Sequence, residues 1–196
     1  MSAGAIISAV EPAGKAERAG LVPGDEILRI NGETVQDLID LSFALAEEKI
    51  ELEVKKYSGE IVRLQIRKKV DEALGFEFES AVFDRVRTCA NKCLFCFVDQ
   101  MPSGLRDTLY VKDDDYRLSF LYGNFVTLTN LTEADFQRIR RLHLSPLYVS
   151  VHTTNGPLRE RLLGTPRAAK IMEQLRRFAE AGIEMHTQVV LCPDHN

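Results

Sequence analysis

Three of the four cysteines stand within one short run, Cys89-Ala-Asn-Lys-Cys93-Leu-Phe-Cys96. A CxxxCxxC loop brings three soft donors to one small inorganic object, because each thiolate needs only a few ångströms of backbone to reach a common centre. Four thiolates close a cubane iron–sulfur cluster. Three leave one iron without a protein ligand, open to a small molecule. The competing readings are a structural zinc site and a chance group of thiols. Zinc takes four ligands, usually in paired CxxC or CxxH spacings, and no second pair is present. A disulfide does not suit a reducing compartment. The spacing arithmetic therefore favours an iron–sulfur cluster on Cys89, Cys93 and Cys96.

The other chemistry-bearing residues lie on two expected strands, where parity sorts side chains onto faces. In residues 147–152, Leu147, Val149 and Val151 share one face and Tyr148, Ser150 and His152 the other. In residues 184–192, His186, Gln188, Val190 and Cys192 stand opposite Met185, Thr187, Val189 and Leu191. Polar side chains on a buried parallel strand need a polar counterpart, and a ligand-filled lumen supplies one. Ser150 and His152 fall at the C-terminal end of their strand, where α/β sheets and barrels place their sites. The alternative for His152 is a structural histidine bonded to a loop carbonyl. Cys192 is a fourth cluster ligand, a reactive thiol or a buried cysteine, and free cysteine is among the most buried residue types. The run Asp113-Asp114-Asp115 reads more simply as a solvated or salt-bridged turn than as a hard-cation site. Arg138, Arg140 and Arg141 read as the solvated face of a helix.

The elements that must position these residues fall into two halves. In the first, residues 6–10 read as a strand, 15–19 as a helical turn stopped by Gly20, and Pro23-Gly24 as a turn into a strand ending at Asn31-Gly32. Residues 35–48 carry helical periodicity. Two alternating strands follow at 51–57 and 60–67, with Leu52 and Val54 inward on one and Val62, Leu64 and Ile66 on the other. Residues 70–82 are a linker or joining strand in which Leu74, Phe76 and Phe78 alternate with Gly75, Glu77 and Glu79; that pattern predicts a strand lying on a core, with residues 73–79 pairing with the first module's sheet or packing between the two halves. From Phe83 onward strands alternate with helices. Residues 125–129 read as a strand, and Thr132 as the N-cap of a helix to about Leu142, with Asp135 in its first turn and Leu131 stapled on Phe136. Thr165 and Pro166 open a long helix ending before Gly182, and 184–191 form another strand. This is an α+β two-domain chain, a β-rich module at 1–69 followed by an α/β region at 83–196 with a parallel sheet, open or closed into a barrel. A complete eight-fold barrel needs about 200 residues, and residues 83–196 supply 114. The sequence stops just after a strand, so a partial, incomplete barrel within a longer protein is expected.

At 196 residues, 45% hydrophobic and 28% charged, the chain has the composition of a globular protein with a real core. Its net charge of −4 argues against a nucleic-acid partner. The N-terminus lacks a basic segment and is interrupted by Glu11, unlike a secretory signal, and no apolar run reaches the ~20 residues that span a bilayer. A cytoplasmic location, where thiols stay reduced, is the expectation.

Two resemblances add to these readings. The stretch Ala16-Glu-Arg-Ala-Gly-Leu-Val-Pro-Gly-Asp-Glu-Ile-Leu-Arg-Ile-Asn-Gly32 resembles a bacterial PDZ domain over about residues 4–69. PDZ domains bind an extended peptide as an added strand beside a helix, which implies a groove between residues 6–10 and the helix from Val35. The family's Gly-Leu-Gly-Phe carboxylate loop is absent before the first strand, where only residues 1–5 remain; Ala73-Leu-Gly-Phe76 looks like it but follows the module. Peptide binding and docking on the chain's own second domain both remain open, since fold alone does not give function.

The second half resembles the radical S-adenosylmethionine (SAM) superfamily in its CxxxCxxC loop with Phe95 before the last cysteine. It is similar to bacterial proteins joining an N-terminal PDZ domain to a radical-SAM-like domain, described in cyanobacteria as iron–sulfur oxidoreductases. The stretches that carry this are Cys89–Cys96 with Phe97-Val-Asp-Gln100, residues 119–130 and Leu147-Tyr-Val-Ser-Val-His-Thr153. The resemblance implies a 4Fe-4S cluster on Cys89, Cys93 and Cys96, SAM on the open iron, an electron donor, and reductive cleavage of SAM to a 5′-deoxyadenosyl radical. Phe95 would lie against the adenine, with Ser150 and His152 toward ribose or substrate. The superfamily's Gly-Gly-Glu is missing, so Asn130 or Thr129 would hold the SAM amino group through neutral hydrogen bonds. Two alternatives remain: an iron–sulfur electron-transfer or redox-sensing protein that does not use SAM, and a PDZ adaptor with a zinc-stabilised second domain.

Overall fold

The computed structural model describes residues 5–196, which divide into two compact units, 5–85 and 86–196. Residues 1–4, part of the stretch where a carboxylate loop is missing, lie outside the described residues.

The first unit is an antiparallel sheet in the order β4-β3-β2-β1-β5. Its strands are β1 (Ala5–Val10), β2 (Glu26–Ile30), β3 (Lys49–Lys55), β4 (Ile61–Arg67) and β5 (Phe76–Phe78). The period-2 pattern decides which faces are buried: Ile50, Leu52 and Val54 are inside while Lys49, Glu51 and Lys55 are exposed. Leu52 pairs with Leu64 and Val54 with Val62, cross-strand contacts that stabilise the hairpin. The Pro23-Gly24 turn is required sterically. Gly24 has φ 91°, and a Cβ there would stand 3.0 Å from the Tyr57 ring. Asp25 behind it is fully buried and accepts the Val22 and Tyr57 amides, each at 3.0 Å, and the Lys56 ammonium.

Two short helices complete this unit, α1 (Lys15–Arg18) and α2 (Leu38–Ala44). The expected helix at 35–48 is shorter because Asp37 takes the cap, accepting the Ile39 and Asp40 amides at 3.0 Å. Residues 73–78 fold back onto the module: the Glu11 amide donates to Gly75 O (2.8 Å), the Ala16 amide to Leu74 O (2.8 Å), and β5 pairs with β1. Leu74 is buried in the core with Ile7, Leu21, Ile27 and Leu41, and Phe76 and Phe78 pack against it.

The second unit mixes α and β. Its elements are α3 (Tyr116–Tyr122), α4 (Glu133–Leu142), β6 (Leu147–Ser150), α5 (Gly156–Leu163), α6 (Ile171–Glu180) and β7 (Met185–Gln188). Strands β6 and β7 are parallel, Leu147 opposite Met185 and Ser150 opposite Gln188, and α5 and α6 lie between them in the chain, as a parallel crossover requires. Thr132 caps α4 as expected, and with Asp135 it forms a capping box. Phe136 and Ile139 of α4 are buried, and Phe136 stacks on Phe178 of α6 with centroids 5.1 Å apart. The expected long helix from Pro166 is instead a 3-10 segment, Pro166–Lys170, leading into α6, and Thr165 makes no side-chain cap.

The strand expected at 125–129 is reduced to one parallel bridge, Val126 to Val149. Leu128 has φ 62°, which no strand accommodates. Side chains take its backbone instead: Asp114 receives the Thr127 amide, Arg159 reaches Thr127 O and Gln174 reaches Leu128 O. No closed barrel forms among the described residues. No helix among them is long and apolar enough to cross a membrane.

Candidate functional site

The cysteine loop is tied down along its length. The Cys89 amide donates to Lys112 O at 2.8 Å, the Lys92 amide to Leu163 O at 2.9 Å, and the Leu94 amide to Leu162 O at 3.0 Å. These last two bonds strap the loop onto the C-terminal turn of α5, using carbonyls a helix end leaves without partners. Gly164 makes the close approach possible, with φ 66° and a would-be Cβ only 2.7 Å from Lys92 O.

Cys89, Cys93 and Cys96 are all half-buried free thiols. Burial, reinforced by the other two sulfurs, pushes Cys93 up to about 11. Burial raises Cys89 as well, with Asp114 and Cys96 adding to the shift and Lys112 opposing it. With Cys89 and Cys93 both held toward the thiol, the loop is a soft donor set that a cationic centre would stabilise as thiolates. Among the described residues, no three His, Cys, Asp or Glu side chains converge on one metal-ion position. Cluster ligands each bond a different iron, so their sulfurs stand apart around a polynuclear group. The donor chemistry and the pinned loop fit such a group.

Beneath the loop lies a buried polar network that the sequence did not announce. Asn91, 4% exposed, donates from Nδ2 to Thr127 Oγ1 (2.9 Å) and accepts from Thr129 Oγ1 at Oδ1 (2.8 Å). Asp114 accepts the Thr127 amide and hydroxyl, each at 2.6 Å; burial nevertheless raises its pKa. Thr129 is therefore committed within this network. Asn130 donates from Nδ2 to Asp114 O at 2.8 Å, which leaves its Oδ1 as an acceptor.

Arg159 is the largest surprise. Its side chain is fully buried and donates to four carbonyls: Val151 (2.8 Å), Ala168 (2.9 Å), Thr127 (2.9 Å) and Ser150 (2.6 Å). Burial lowers it to about 10, with Asp114 and Cys93 pulling the other way. A buried arginine bonded only to carbonyls ties together three chain segments at the C-terminal ends of the strands. Its helical neighbours mark nothing unusual in sequence, and only the fold reveals it.

Of the two expectations for the Asp113–Asp115 run, the salt-bridged turn is the one that forms. Asp115 caps α3, pairs with Arg117 through both oxygens and accepts the Arg87 amide, and its pKa is lowered because these bonds outweigh its burial. Asp113 accepts from Asn124 at 2.8 Å. Arg138 is likewise not simply solvated, since its guanidinium donates to Tyr116 Oη at 2.8 Å.

The remaining expected residues lie at the strand ends. Ser150 is buried and accepts from Gln188 Nε2 at 3.0 Å. His152, 4% exposed and in the left-handed region at φ 63°, accepts the Val190 amide at Nδ1 (3.2 Å), which places the neutral ring's proton on Nε2. Burial, then Arg159, lowers its pKa to about 4. The Phe95 ring packs edge-on against His152 with centroids 4.6 Å apart. Cys192 is buried in an apolar cluster with Leu162, Leu163 and Ala168, against which Cys93 and Phe95 pack. The strand expected at 184–191 ends at Gln188, and Asn196 Nδ2 bonds both His152 O and Val190 O beyond it.

In the first unit, the expected groove beside β1 is corrected: β5 already occupies that edge. On this side of the sheet the edge strand is β5. Beside it lies a groove of about 550 Å³ lined by Leu41 and Leu45 of α2, residues 73–77 and residues 9–11.

A family model for a Radical SAM-like domain matches residues 68–196, most of the chain. The chain belongs to that family. A PDZ domain model matches residues 6–56, so the radical-SAM-like region carries a PDZ module ahead of it. Among solved structures the chain is similar to the PDZ domain of the SdrC-like protein Lin2157 of Listeria innocua. That likeness is at 16% identity and TM-score 0.35, covering 41% of this chain and 98% of that one. No curated protein matches.

Proposed function

We propose that the radical-SAM-like region holds a 4Fe-4S cluster through Cys89, Cys93 and Cys96 and acts as an oxidoreductase that uses SAM, on a substrate yet to be named. The observation that supports this most is the pinned loop of three half-buried thiols in a Radical SAM-like domain. When bound, the cluster supplies the electron and SAM the radical precursor. The chain's own part is placement. Lys92, Leu94 and Gly164 fix the loop against α5, and Asn91 fixes it against residues 127–129. Asn130 Oδ1 stands as the neutral acceptor for the ammonium of SAM, in the role of the missing Gly-Gly-Glu. Phe95, Ser150 and His152 line the same end, with His152 neutral at physiological pH.

The electron-transfer alternative draws support from Thr129, which is spent in the buried network and leaves a single acceptor for SAM. Anaerobic reconstitution followed by electron paramagnetic resonance of the reduced protein, with and without SAM, separates the readings. A SAM-dependent change in the signal is expected. An iron–sulfur signal indifferent to SAM selects electron transfer, and zinc without iron or sulfide selects the adaptor. The PDZ module is proposed to bind a peptide in the groove beside β5. The cytoplasm is the compartment in which such a thiol loop stays reduced.

A further inference from the structure

The peptide groove of the first unit is closed at one end by the chain itself. After β5 the backbone crosses to the start of α2. There the Leu38 amide donates to Ala81 O (2.9 Å), Asp37 bridges Val82, and the Phe83 amide donates to Gln36 O (2.8 Å). Ala81, Val82 and Phe83 are buried, and the Phe83 ring lies 5.1 Å from that of Phe78. The open groove therefore faces only the later part of α2, through Leu41 and Leu45. The seven residues of α2 span about 10 Å at 1.5 Å per residue. Three residues of added strand also span about 10 Å, and β5 offers three residues to pair with.

The lining states the chemistry of the occupant. Leu41, Leu45, Leu74 and Phe76 form apolar walls, while Glu11 and Glu77 stand exposed at the rim without a basic side chain lining the groove. We propose that residues 81–83 are a built-in stopper, so that the groove takes a peptide stretch of about three residues with an apolar anchor and an adjoining lysine or arginine facing Glu11 and Glu77. This inference rests on the peptide-binding reading of the PDZ module and adds its length limit and charge preference.

The test is fluorescence polarisation on the full chain with labelled peptides built on a Ser-Lys-Val core. One is the core alone on a Gly-Gly spacer; others extend it to eight residues at either end. In the unmodified protein, the extended peptides should bind within threefold of the core peptide. Val82→Asp places a carboxylate beside buried Asp37 and should detach the stopper. With its circular dichroism unchanged, this variant should bind one of the extended peptides at least tenfold tighter and the core peptide as before. Glu77→Lys should weaken the core peptide about fivefold and favour a Ser-Glu-Val core. A tenfold gain from extension in the unmodified protein overturns the stopper while leaving peptide binding intact. No binding of any of these peptides, to the protein or to Val82→Asp, overturns the peptide-binding reading and the stopper with it.

Discussion

Replacing Arg159 with Met tests whether the buried guanidinium holds the strand ends together. Met keeps much of the volume and removes every donor, orphaning the carbonyls of Thr127, Ser150 and Ala168, while Val151 O keeps the Thr153 amide at 2.7 Å. A buried acceptor left without a partner costs about 1–3 kcal/mol. Against this, the variant no longer desolvates a charge, which returns several kcal/mol. With three orphans near the middle of that range, the net loss is about 2 kcal/mol, a sizeable part of the 5–15 kcal/mol that holds a typical domain. Cys192 is the buried thiol among the four and lies in the second unit, so its labelling as a function of urea reports that unit alone. At a slope of about 1.5 kcal/mol per molar, the labelling midpoint should fall by about 1.3 M. Arg159→Lys should fall between, since one ammonium cannot fork to four carbonyls. A shift under about 0.5 M for the Met variant would refute the reasoning, because it would mean that water or repacking satisfies those carbonyls at little cost.

Two further expectations follow from the geometry. Asp25 is raised by burial but held below its ordinary value by Lys56 and two backbone amides. A depressed carboxyl stabilises fully above its unfolded pKa of about 3.9 and loses that contribution as pH falls through the lower folded value. Acid titration of the first unit's circular dichroism should therefore show a loss of stability below about pH 4 that Asp25→Asn flattens, while lowering stability at pH 7; equal acid slopes in both proteins would remove Asp25 as the cause. Gly164→Ala forces a Cβ to 2.7 Å from Lys92 O at a left-handed φ and should cost about 1–3 kcal/mol. Hydrogen exchange at Lys92 and Leu94 should quicken by tenfold or more, and unchanged protection there would show that the strap on α5 is unimportant.

Much of the first unit is legible because alternation is strong in β3 and β4 and turn residues punctuate it. The alternation of Leu74, Phe76 and Phe78 likewise marks 73–79 as a strand on this sheet, but the choice of β1 as its partner depends on tertiary contacts to Glu11 and Ala16 that no local pattern encodes. The second unit divides differently. Thr132 announced α4 through a local capping box, whereas residues 125–129 looked like a strand because Phe125, Val126 and Leu128 are apolar. There, backbone groups are claimed by side chains distant in sequence, Asp114, Arg159 and Gln174. The cysteines declared themselves by spacing. Asn91 and Arg159, which position the loop and the strand ends, carried no signal because polar residues buried by long-range partners look like surface residues in sequence.

The central claim, a cluster held by three thiolates, is tested most directly by iron and acid-labile sulfide per chain after anaerobic reconstitution of Cys89→Ala, Cys93→Ala, Cys96→Ala and Cys192→Ala. The three loop variants should each lose the cluster, while Cys192→Ala, whose thiol packs among Leu162, Leu163 and Ala168, should retain it. Loss of iron in Cys192→Ala as complete as in Cys93→Ala would show four protein ligands and no open iron, and full retention in any loop variant would remove the three-thiolate site.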